Sequence, residues 1–164
     1  MKTSEFLKRF PEACQSAQEW IVKNKILEMA DAWDICPRGD WMWWALKKII
    51  KIPKNKSVKF AKFCASNAKK YSSAAASDAY YGAYATDAYA YASDAYAYAS
   101  DASYGVGANA TDAAAYASVA AIAAASYSTS YSASYSASDA ERQIQADWIR
   151  DNIKNPFTTK KNKA

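Results

Sequence analysis

The sequence predicts an all-α protein, a single-domain multi-helix bundle with an alanine- and tyrosine-rich central helix pair. Three observations predict it. Ala85, Ala88, Ala92, Ala95, Ala99 and Ala102 recur at alternating spacings of three and four, a heptad seam made of the strongest helix former. The same residues cannot share one face of a strand, because each Ser-Asp pair shifts the alternation, and alanine is depleted in strands. Only four glycines and four prolines interrupt 164 residues, so the helices are long and the connections few.

Each element follows in turn. Pro11 suits a first helical position, with Ala13, Ala17, Trp20 and Ile21 on one face. A second helix fits 26–35, with Met29, Ala30 and Trp33 inward, and "CPRGDW" ends it through Pro37 and Gly39. Asp40 is then a candidate N-cap for a third helix over 41–52, which stops at Pro53. Its Met42, Ala45, Leu46 and Ile49 form a buried face. Ser57 can cap a fourth helix striped with Val58, Ala61, Cys64, Ala65 and Ala68.

The alanine seam follows, with Tyr84, Tyr91 and Tyr98 on one flank and Tyr89 and Tyr96 on the other. Gly105 and Gly107 break it, and Thr111 starts a partner helix carrying Tyr116, Val119, Ala120, Ala123, Tyr127, Tyr131 and Tyr135 along a stripe. The alternating serines of "SYSTSYSASYSAS" resemble a strand pattern. A last helix over 139–153 presents Ala140, Ile144, Trp148 and Ile149. The expected division is one domain over 1–155 and a basic flexible tail over 156–164.

Charge and composition narrow the function. Residues 1–70 hold fifteen basic and seven acidic side chains, whereas 71–140 hold six Asp and no Lys or Arg. Nine lysines and no acid lie between Lys47 and Lys70, an anion-attracting field. The acidic middle disfavours duplex nucleic acid. The chain has no histidine, which removes the commonest general base and most zinc sites. The heptad aspartates stand about 10.5 Å apart along a helix, too far to share one ion. Neither an enzyme, a metal nor a cofactor is expected. No apolar run follows Met1-Lys2, and three cysteines lack a C-x-x-C pair, so a cytoplasmic protein with reduced thiols and no membrane contact is expected.

Binding chemistry is left. Trp41, Trp44 and Lys48 fall at i, i+3 and i+7, with Arg38 just before the helix. Indoles that stack on a base beside cations that meet phosphate suit a nucleotide-like anion. The candidate ligand-binding residues are Arg38, Trp41, Trp44, Lys48, Tyr89 and Tyr96.

The segment "AWDICPRGDWMWWALKK" is similar to the C-x-R-x-D-W-[ML]-x-W signature of an immunity-protein family, all-α proteins encoded beside bacterial polymorphic toxins and frequent in phage genomes. "ERQIQADWIRDNI" resembles that family's closing helix, and "KFAKFCA" its fourth. The Asp-Tyr-Ala heptads depart from the pattern. The resemblance marks Cys36, Arg38, Asp40, Trp41, Met42, Trp44, Gln145, Ala146, Asp147 and Arg150, and implies neutralisation without turnover. Two functions follow as expectations: sequestration of a small anionic ligand such as a nucleotide immune signal, or capping of a toxin by direct protein contact, where Trp, Tyr and Arg are the usual anchors. A homo-oligomer stays open.

Overall fold

A computed structural model describes residues 1–77, 82–104, 108–127 and 131–158. Among them are eight helices and no strand: α1 Thr3–Arg9, α2 Gln15–Lys23, α3 Met29–Ile35, α4 Gly39–Ile49, α5 Lys54–Ser77, α6 Gly82–Tyr104, α7 Ala108–Tyr127 and α8 Tyr131–Asn152. None of these helices is long and apolar enough to cross a membrane. The long helices α5, α6 and α7 pack on one another, α8 lies against α7, α5 and α4, and α4 reaches α7. The short helices α1–α3 gather at the aromatic face of α4.

The core has two chemically different halves. Around α4 it is aromatic: Trp43 is almost fully buried and stacks on Phe60 at 4.3 Å between ring centroids. Along α5, α6 and α7 it is made of methyl groups. Ala88, Ala92, Ala95, Ala99 and Ala102 of the heptad seam are buried, facing Ala113, Ala114, Ala117, Ala121 and Ala124 of α7 and Ala61, Ala65 and Ala68 of α5. Such side chains contribute little area each, so the helices must approach closely to exclude water. Tyrosines close the flanks. Tyr91 stacks on Tyr127 and Tyr98 on Tyr116, both at 5.2 Å. Replacing the fully buried Ala95 by Leu is expected to destabilise by about 1–3 kcal/mol, because added methylenes have nowhere to go. Urea denaturation measures this, and a neutral result would show that the seam is not tightly packed.

Several local expectations are corrected by tertiary contacts. The amino-terminal helix begins at Thr3, where the Glu5 carboxylate accepts the Lys2 backbone N–H at 3.2 Å; Pro11 lies in the following turn. Thr3 Oγ1 donates to the carbonyl of Ile26 at 2.9 Å, which ties α1 to the α2–α3 connection. That connection leaves α2 through Lys25 at φ 53°, with Ile26 N–H bonded to Ile21 and Lys25 N–H to Val22, the pattern of a left-handed helix stop. The second helix begins at Met29 rather than 26, and α4 ends at Ile49.

Asp40 is not the N-cap of α4. Arg38 occupies that position, and Asp40 in the first turn takes its guanidinium instead. Ser57 does not cap α5, which starts one residue after Pro53. Its hydroxyl is buried and pairs with Thr111 Oγ1 at 3.2 Å. Thr111 in turn lies inside α7, where its carbonyl accepts the Trp43 indole N–H at 3.2 Å. A hydroxyl with a partner across an interface is worth more there than at a solvated helix end.

The serine-rich stretch is helical wherever it is described, within α7 and α8. The face α8 buries also differs from expectation. Ala140 and Ile144 are exposed, whereas Ser138, Glu141, Gln145, Ala146 and Ile149 are buried. Of the stripe predicted for the partner helix, Tyr116 and Val119 of α7 face outward, as does Tyr135, which lies on α8. Of the tail expected over 156–164, Phe157 is buried against Trp33 and Phe6 at 6.3 and 5.9 Å, and residues 159–164 lie outside the described set.

Candidate functional site

The path of α4 decides what the aromatic residues can do. Its Met42, Trp43 and Leu46 face the bundle, which leaves Trp41 and Trp44 half-buried on the side covered by α1 and α2. Trp41 meets Trp20 of α2 at 6.1 Å, and Trp44 meets Phe6 and Phe10 at 6.3 and 6.4 Å, all edge-on. These rings do not close on one another. Between them lies a cavity of about 470 Å³ floored by Met29, Ala32 and Trp33.

Two cations sit on these rings. The Arg38 guanidinium lies 4.4 Å from the Trp41 ring centroid, and the Lys48 ammonium 5.4 Å from that of Trp44. Both are paired. Arg38 forks the Asp40 carboxylate, Nε to Oδ1 at 2.9 Å and Nη2 to Oδ2 at 2.5 Å. Lys48 Nζ meets Glu12 Oε1 at 2.8 Å. That hydrogen bond is the main reason the Glu12 carboxyl is held below its ordinary value. The site is therefore an apolar cavity with two ion pairs at its edge, not an unneutralised cationic cleft.

Cys36 belongs to the same wall. Burial pushes its thiol up to about 11, so at neutral pH it is protonated and inert as a nucleophile. Cys64 is raised as well, first by burial and then by the nearby Glu141.

The structure brings Arg38, Trp41 and Trp44 together as cavity walls, with Lys48 joined to the site through Glu12. It does not bring Tyr96 there. Tyr96 is half exposed on α6, which packs on α5 and α7. The Tyr89 side chain lies outside the described residues. Sequence reasoning missed Glu12, Phe6 and the position of Trp20. An acidic residue after Pro11 gives no sign of pairing with a lysine thirty-six residues later.

Two of the three segments that carry the resemblance, around Arg38 and around Arg150, meet in space. Arg150 Nη1 donates to the carbonyl of Cys36 at 2.8 Å and reaches that of Trp33 at 3.4 Å. Its other nitrogen holds Asp147 at 2.6 Å. Gly39 presses directly on Gln145 and Ala146 of α8. These positions fix the turn that presents Arg38 and Trp41. No family model, characterised protein or solved structure matches the chain.

Proposed function

We propose that the protein is a non-enzymatic binding protein that sequesters a small nucleotide-like ligand. The ligand's aromatic body fills the tryptophan-walled cavity, and its anionic group takes the place of a carboxylate at the edge. One observation carries this reading: four tryptophans, Trp20, Trp33, Trp41 and Trp44, border one cavity, with a cation over two of them, Trp41 and Trp44. About 470 Å³ is within the range of small-molecule sites. In the setting that the family resemblance implies, the ligand is a nucleotide immune signal, removed by capture rather than turnover.

Because both cations are paired, anion binding is an exchange. Glu12 is the carboxylate that yields: its side chain is 49% exposed and held by a single lysine contact, whereas Asp40 is forked by Arg38 and 23% exposed. Titration calorimetry with adenosine monophosphate and with adenosine tests this. Glu12→Gln is expected to tighten the monophosphate about two- to fivefold, the worth of one exposed ion pair, and to leave adenosine unchanged. Trp41→Ala is expected to weaken both by about 1–3 kcal/mol, the value of a base–aromatic stack. If neither compound binds the native protein, and the purified protein releases no 260 nm absorber on denaturation, toxin capping becomes the better account.

A further inference from the structure

A second concavity among the described residues has an acidic border. Where α6 ends and α7 begins, Tyr98, Tyr104 and Tyr116 border an open groove of about 540 Å³ with Asp101, Asp112 and Asn109. Tyr98 and Tyr116 are stacked on each other at 5.2 Å and 30°, which uses one face of each ring and fixes their position at the groove. Tyr104 is 84% exposed and Tyr116 58%, high values for large aromatic side chains. The groove lies in the acidic stretch of the sequence, 71–140, which contains no Lys or Arg.

Its charge is already used once within the chain. Lys47 reaches from α4 to Asp112 at the edge of the groove. Asp101 has no ion pair among the described residues. The exposed Tyr104 and Tyr116 rings and the Asp101 carboxylate thus border one groove, an aromatic surface and an anion together. The protein shows elsewhere what completes such a pair. Over Trp41, the Arg38 guanidinium lies 4.4 Å from the ring centroid and forks Asp40.

From this geometry we infer that the groove formed by Tyr98, Tyr104, Tyr116 and Asp101 receives an arginine side chain from a protein partner. The planar guanidinium stacks on an aromatic face and binds a carboxylate in a fork, which an ammonium cannot do. The ring faces carry the negative end of their quadrupole and attract the cation further. An open groove admits a side chain projecting from another surface, and Tyr against Arg is a common anchor pair at such surfaces. The inference is independent of the tryptophan cavity, which shares no residue with the groove.

The test is a titration of protein carrying ¹³C-labelled tyrosine rings with N-acetyl-arginine amide, followed by NMR at low salt. The expected result is a set of shifts confined to Tyr98, Tyr104 and Tyr116, smaller with N-acetyl-lysine amide and suppressed by salt. Tyr104→Ala and Asp101→Asn, both at exposed positions, should each weaken binding about two- to fivefold with an unchanged helical spectrum. Equal shifts with neutral N-acetyl-glutamine amide, shifts spread over all tyrosines, or no shift at all would overturn the inference.

Discussion

Gly39→Ala is expected to destabilise the protein by about 3 kcal/mol, the upper part of the range for overpacking. A Cβ at residue 39 would stand 2.4 Å from Gln145 Cβ and 2.8 Å from both the Ala146 nitrogen and the Gln145 carbonyl carbon. Two of those atoms are backbone, so no rotamer change relieves the clash. Helix α4 would have to back away from α8, loosening the Arg150 bonds to the carbonyls of Cys36 and Trp33. Alanine is otherwise the better helix residue by about 1 kcal/mol. The sign of the measured change therefore decides between local propensity and close approach. Urea denaturation checks it, and a stabilised Gly39→Ala protein would show that α4 and α8 stand further apart.

The second large effect is at Glu141, a carboxylate with no exposure in the middle of α8. Its oxygens accept from Tyr71 Oη at 2.9 Å, from Gln145 Nε2 at 2.9 Å and from Asn67 Nδ2 at 3.3 Å. Gln145 is held in turn by Ser118, whose hydroxyl donates to it at 2.5 Å. All these donors are neutral. Burial consequently outweighs the hydrogen bonds and raises the carboxyl above its ordinary 4.5.

The direction of the pH dependence follows. The folded state holds the proton more tightly than the unfolded chain, so Glu141 contributes most stability below pH 4.5. That contribution declines as pH rises from there through the folded-state value. Glu141→Gln, which cannot ionise, is expected to remove this decline. Denaturation of both proteins from acid to neutral pH gives the comparison, and parallel curves would refute the raised value. Glu141→Ala should cost about 2–4 kcal/mol at acid pH and less as pH rises, because it opens a cavity and leaves the Asn67 and Tyr71 donors unpaired in the interior.

The same residue shows why the carboxy-terminal helix was read only in part. Apolar periodicity places Ala140 and Ile144 inward, yet the buried face is shifted by one residue toward Glu141 and Gln145. A polar residue is admitted to a core only when its partners are there to meet it, and Asn67, Tyr71 and Ser118 come from two other helices. No pattern within α8 reveals them. The candidate site was legible to a similar extent. The i, i+3 and i+7 stripe identified Trp41, Trp44 and Lys48, and they do share one side of α4. The carboxylates that neutralise it did not show, since Asp40 read as a cap and nothing in the sequence linked Glu12 to Lys48.

By itself the sequence determined the helical class, the alanine seam from Ala88 to Ala102 (Ala85 lies outside the described side chains), the break at "CPRGDW" and the absence of histidine. Each rests on local energetics: alanine's propensity, the three-four spacing of small side chains, and the fixed backbone demands of Pro and Gly act within a few residues. Only the tertiary structure decided that Gly39 is a contact rather than a breaker, that Thr111 and Ser57 serve an interface rather than helix ends, and that Lys48 faces Glu12. Those outcomes depend on groups thirty to more than a hundred residues apart in the chain. Their free energy exists only once helices are packed and water is gone, so no local pattern in the chain encodes it.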